Sequence, residues 1–217
     1  MRFKAAALQF IVIAAAIAAG STTTLAQTRS VQLVGLGDSL MAGYQLPTNE
    51  SFTAQLEAAL RAKGVSVTIA NAGVSGDTTA GGLARADWSV PDGTDGVILE
   101  LGANDALRGI APEETEKNLD AIIAKFKARN IPVLLAGMIA PPNMGGNYGE
   151  RYNGLYQRLA DKHQLTMYPF FLDGVAGQAA LQLEDGMHPN AKGLAVMVER
   201  FLPVAEGFVA AIANKSK

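Results

Sequence analysis

From residue 31 onward, short apolar runs alternate with longer stretches in which apolar residues recur at helical spacing. The runs at 31–36, 65–70, 96–101, 132–138 and 165–168 are read as five strands. In "VQLVGL", "GVILEL" and "VLLAGM" there is little of the alternation of a half-exposed sheet, as expected of parallel strands covered on both faces. Between them, "ESFTAQLEAALRAKG", "PEETEKNLDAIIAKFKARN" and "YGERYNGLYQRLADKH" are read as amphipathic helices, and "NAKGLAVMVERFLPVAEGFVAAIANK" as a closing one. The pattern predicts an α/β protein, a three-layer α/β/α sandwich. Helix ends have local causes as well: Pro112 stands before a run of acids that suits a helix N-terminus, and Gly64 suits a C-terminal cap.

The first 26 residues fall outside this rhythm. Arg2 and Lys4 flank the apolar run "AAALQFIVIAAAIAAG", and "STTTLAQTRS" then places the small residues Thr24 and Ala26 before a cut after Ala26. The run is short of the ~20 residues that a membrane span needs. Residues 1–26 are therefore read as a cleaved signal peptide, and 27–217 as a single domain, periplasmic or secreted, with no stable membrane insertion.

Two of the 18 Lys and Arg lie in that leader, leaving 16 against 20 Asp and Glu. No basic cluster supplies the face that phosphate-backbone binding needs, so nucleic acid is not an expected partner. The absence of cysteine excludes a zinc–thiolate site and a cysteine nucleophile. With 49% apolar residues the chain can bury a sizeable core.

In an open parallel sheet, ligands sit beyond the carboxyl ends of the strands, so the segments that follow the strands carry the chemistry. These are "GDSLMAG", "NAGVSGDTT", "GANDALRG", "IAPPNMGGNYG" and "PFFLDGVAGQAALQLEDGMHPN". Ser39, on a tight strand-to-helix turn, is either a nucleophile or, with Asp38, part of a helix N-cap. Serine chemistry needs a base, and the chain has two histidines. His163 ends a helical stretch, where an imidazole beside C-terminal carbonyls has a structural role. His188 has Asp185 three residues before it, a spacing that lets the carboxylate fold onto one ring nitrogen and leaves the other for a hydroxyl; Asn190 beside it suits a helix N-cap. Acyl transfer also needs donors to an oxyanion, and the Asn104 amide, a Gly76 N–H and the Ser39 N–H form a candidate set, although Asn-Asp and Ser-Gly pairs also simply form turns.

Taken together, "GDSL" at 37–40, "SGDT" at 75–78, "GAND" at 102–105 and "DGMHP" at 185–189 resemble, in order and spacing, the four blocks of the GDSL or SGNH hydrolases. "ELGANDALRG" and "NYGERYN" are similar to the periplasmic bacterial thioesterase, lysophospholipase and arylesterase group within that family. The resemblance implies a flavodoxin-like sheet of order 2-1-3-4-5 and hydrolysis of esters and thioesters without metal or cofactor. It implies Ser39 as nucleophile, Asp185 and His188 completing a triad, and Ser39, Gly76 and Asn104 as the oxyanion hole. Leu107, Met144 and Tyr148 are implied contacts of an acyl pocket. Ala103 departs from the second glycine that close relatives often carry.

The expected partners are small-molecule esters or thioesters with acyl or aryl groups. A carbohydrate deacetylase on the same fold is the nearest alternative. A flavodoxin-like module binding phosphate at "GDSLMAG" is a more distant one, because Asp38 would repel the anion and no lysine follows the loop.

Overall fold

The computed structural model describes residues 29–215, so the expected leader at 1–26 lies outside the described residues. Five strands, β1 Val31–Gly37, β2 Val67–Gly73, β3 Gly96–Glu100, β4 Val133–Ala136 and β5 Thr166–Tyr168, form one parallel sheet of order β2-β1-β3-β4-β5. Registers run Val31 to Val67, Leu33 to Gly96, Val97 to Val133 and Leu134 to Thr166. Central β3 is buried along its whole length, which is why its sequence shows no polar alternation.

The helices are α1 Ser39–Ala42, α2 Phe52–Ala62, α3 Thr79–Ser89, α4 Ala103–Leu107, α5 Pro112–Ala128, α6 Tyr148–Asn153, α7 Leu155–His163 and α8 Ala191–Lys215. On one face of the sheet α2 packs with α8; α3 packs with α5, and α5 with α7. The α5 face illustrates the cause: Leu119, Ile122, Ile123 and Phe126 recur at helical spacing and are all fully buried. Such a side chain contributes roughly 1.5–3 kcal/mol on burial. No helix among the described residues is long and apolar enough to cross a membrane.

Three expectations are corrected. Strand β2 starts two residues later than expected and runs on through Asn71, Ala72 and Gly73, so the loop after it is shorter than the sequence implies. The helical stretch 148–163 is two helices, interrupted at Gly154, a poor helix former whose backbone nevertheless stays right-handed. Helix α3 was not expected, because "TAGGLARADWS" carries two glycines and a weak apolar stripe; the Thr78 side chain caps it by accepting the Gly81 N–H. The acid-rich start of α5 after Ala111 and the left-handed Gly64 after α2 agree with expectation.

Candidate active site

The carboxyl end of β1 runs directly into the turn that carries Ser39. Asp38, not Ser39, caps α1: its carboxylate accepts the Leu40 N–H at 3.0 Å, which leaves the serine hydroxyl unengaged by the helix. That hydroxyl points to His188, with Oγ 2.8 Å from Nε2. The imidazole is held from behind, its Nδ1 lying 2.6 Å from Asp185 Oδ2. Tyr44 packs against its face with ring centroids 4.4 Å apart.

The loop carrying His188 is closed by its own acid. Asp185 Oδ1 accepts the N–H groups of Met187 and His188 at 2.9 and 3.0 Å, so one carboxylate folds the turn and orients the ring. The His188 N–H bond, followed by that of Met187, holds the Asp185 carboxyl down at about 2, against partial desolvation. Asn190 caps α8 through its Oδ1, which accepts the N–H groups of Lys192 and Gly193.

Gly76 sits opposite, with φ at +82°, a left-handed conformation that glycine adopts without strain. Arg108 reaches across to its carbonyl at 2.7 Å. Among the described residues no acceptor takes the N–H of Ser39 or Gly76. The Asn104 amide differs: its two protons are turned to Asp38 Oδ2 at 3.1 Å and Asp77 O at 3.0 Å.

Beneath the site lie charged groups that the sequence reading did not single out. Arg85, almost fully buried on α3, donates to Asp77 Oδ2, Ala72 O and Gly37 O, tying the ends of β1 and β2 to the Gly76 loop. Buried Asp105 accepts from the Thr79 N–H and hydroxyl, fixing α4 to the start of α3. Glu100, at the end of β3, accepts the Asp38 N–H at 3.2 Å, while its Oε1 is buried with no partner among the described residues. Burial, reinforced by the Asp38 charge, pushes Glu100 well above the carboxylate range; burial raises Asp38 to about 6. The native fold therefore keeps protons that the unfolded chain releases: Asp38 costs stability as pH rises from about 4 through 6, and Glu100, raised in the same direction, adds to that cost. Spacing could not have found these groups, because each looks like an ordinary surface charge until the core closes over it.

A cleft of about 490 Å³ opens from Ser39 and His188. Leu40, Leu107, Met138, Ile139, Pro141, Leu172 and Ala176 wall it, together with Ala103. Of the three expected acyl contacts, Leu107 lines the cleft, whereas Met144 and Tyr148 do not. Tyr148 is turned inward, its hydroxyl donating to Ile110 O. His163 ends α7 and meets Asp120 at 2.6 Å, away from the cleft.

One short loop supplies both acid and imidazole, and the serine follows the first strand of a sheet of order 2-1-3-4-5, the arrangement that the resemblance to the SGNH hydrolases implies.

A family model described as GDSL-like Lipase/Acylhydrolase matches residues 36–196, and the chain belongs to that family. It is 40% identical to an arylesterase of Vibrio mimicus over 166 residues, covering 76% of this chain and 83% of the relative. With esterase TesA of Pseudomonas aeruginosa it shares 36% identity over 178 residues, 82% of this chain and 89% of the other. Its fold is similar to the crystal structure of AlinE4, an SGNH-hydrolase family esterase, at 43% identity and a TM-score of 0.70, covering 82% and 96% of the two chains. The chain is accordingly an esterase of the GDSL-like family.

Proposed function

We propose that this enzyme cleaves carboxylic esters and acyl thioesters through an acyl-enzyme on Ser39. The observation that carries this reading is the unbroken contact sequence from Asp185 Oδ2 through the His188 ring to Ser39 Oγ, at 2.6 and 2.8 Å. As the serine oxygen attacks the acyl carbon, its proton passes to His188 Nε2, and the anionic Asp185 stabilises the imidazolium. The carbonyl electrons move onto oxygen, where the N–H groups of Ser39 and Gly76 receive them. Asn104 joins by sharing the N–H now turned to Asp77 O. His188 then protonates the departing alcohol or thiol. Water repeats the sequence on the acyl-enzyme and frees the acid.

The largely apolar walls of the cleft favour an acyl or aryl group over a sugar, which sets the esterase reading above the deacetylase one. Turnover of p-nitrophenyl acetate against p-nitrophenyl octanoate is the test. The expected result is a kcat/KM for the octanoyl ester at least ~10-fold higher, as several buried methylenes each add binding free energy. Preference for the acetyl ester would replace this reading with the deacetylase.

Residues 1–26 are proposed to be an export leader, and 27–217 one domain acting in the periplasm or outside the cell. Arg2 and Lys4 before a short apolar run support this. The intact mass of the exported protein checks it: a chain that still carries residues 1–26 would contradict it.

A further inference from the structure

We propose that Tyr148, Tyr152 and Tyr156 are positioning residues that grip both ends of the short helix α4, which carries Asn104 and Leu107: Tyr152 holds the oxyanion amide in place, and Tyr148 holds the acyl wall. This rests on the reading of Asn104 as an oxyanion donor.

The three tyrosines stand four residues apart, Tyr148 and Tyr152 on α6 and Tyr156 on α7, and because the backbone stays right-handed through Gly154 their rings line up, with successive centroids 5.8 and 5.9 Å apart. Each hydroxyl reaches a main-chain carbonyl at the margin of α4. Tyr156 Oη donates to Leu101 O at 2.9 Å, Tyr152 Oη to Gly102 O at 2.6 Å and Tyr148 Oη to Ile110 O at 2.7 Å. The first two bonds fall just before Asn104, and the third falls three residues after Leu107.

The proton count gives this ladder a direction. Tyr152 and Tyr156 Oη also lie 3.0 Å apart, so two phenolic protons serve three contacts. The short bond to Gly102 O takes the Tyr152 proton; the Tyr156 proton is divided between Leu101 O and Tyr152 Oη. Tyr156 thus polarises Tyr152, which strengthens the bond to Gly102 O. Burial raises all three phenols above their usual range, so each hydroxyl stays a donor.

Gly102 is built for this contact. With φ at +123° and no side chain, it lets both hydroxyls approach; a Cβ there would strike the Tyr156 oxygen and come within 2.7 Å of the Tyr152 oxygen. Its carbonyl accepts the Ala106 N–H at 3.0 Å as well, so the first turn of α4 has its own bond and the tyrosine adds a second. Removing the Tyr152 hydroxyl therefore shifts the strand-to-helix junction without unravelling it. Asn104, two residues on, moves with the junction.

Single-oxygen deletions test this, read as kcat and KM on p-nitrophenyl acetate and octanoate. Tyr152→Phe is expected to lower kcat ~5- to 30-fold with KM for the acetyl ester within about twofold, a fraction of the ~100- to 1,000-fold cost of losing a donor. In an Asn104→Ala background, the same change is expected to cost nothing further, because the group it positions is gone. Tyr148→Phe is expected to leave acetyl-ester kcat within about twofold and raise KM for the octanoyl ester ~3- to 10-fold, as the Leu107 wall loosens. A Tyr152→Phe kcat within twofold of wild type, or an equal loss in both backgrounds, overturns the proposal. Should Tyr152→Phe not fold, the half-buried Tyr148 decides the matter: an unchanged chain-length profile in Tyr148→Phe overturns it. If Asn104→Ala alone loses less than tenfold, the oxyanion reading falls first and separately.

Discussion

Replacing Ser39 with alanine is expected to lower kcat by about 10⁴- to 10⁶-fold, with folding and substrate affinity close to wild type. The hydroxyl is almost buried, and its hydrogen-bond partner in the structure is His188, so its loss breaks no bond that holds the fold. The Asp38 carboxylate, not the serine, caps α1, and the helix start survives the change. The Ser39 N–H also survives, leaving the oxyanion donors to give a residual acceleration of about 10³- to 10⁴-fold over water. A fluorophosphonate should label the wild-type chain once, at Ser39, and leave the variant unmodified. Labelling at another residue, or a variant within tenfold of wild-type kcat, would remove Ser39 from the mechanism.

Asp185→Asn should cost about 10⁴-fold in kcat, by a different route. The amide oxygen of asparagine can still accept the N–H groups of Met187 and His188, so the loop keeps its shape. What changes is the contact to His188 Nδ1. An NH₂ group there donates where the carboxylate accepted, and the ring must turn its own proton toward Ser39, which leaves no lone pair for the serine proton. The negative charge that stabilises the imidazolium is lost as well. A modest loss of thermal stability, from exchanging charged for neutral hydrogen bonds in the turn, beside the far larger rate loss is the expected pairing; retention of more than a tenth of kcat would mean that Asp185 merely folds the turn.

The pH dependence tests Asp185 separately. Because hydrogen bonds hold Asp185 at about 2, it is ionised everywhere above pH 4. Its contribution to stability, present above the ordinary carboxyl range, is lost only as pH falls from about 4 through 2. Any fall in activity at milder acidity belongs to another group.

Much of this fold was legible along the chain. Five apolar runs marked five strands, and β3 and β4, buried along their whole length, have no polar side to show. α5 declared itself through Leu119, Ile122, Ile123 and Phe126, and through Pro112 at its start. α3 did not, because its packing is made by glycines that let other elements approach: a Cβ on Gly82 would collide with Leu101. Close approach of backbone leaves no periodic signature.

At the site, the serine turn, the Asp185–His188 pair, Gly76 and Asn104 could be read as short local patterns, since each needs only neighbouring residues to take shape. Tyr148 shows where such reading stops. The resemblance implied that it would contact an acyl group in the cleft, yet the hydroxyl turns inward to Ile110 O.

By itself, then, the sequence determined the strands, most of the helices and the residues able to do acyl chemistry, because hydrophobic period and local turn chemistry are properties of short segments. Only the tertiary structure decided which hydroxyl meets which imidazole, where the protons of Asn104 point, and that Glu100, Arg85 and three tyrosines stand behind the site. Those outcomes depend on burial and on distances between residues up to 149 positions apart, set when the sheet closes and water leaves.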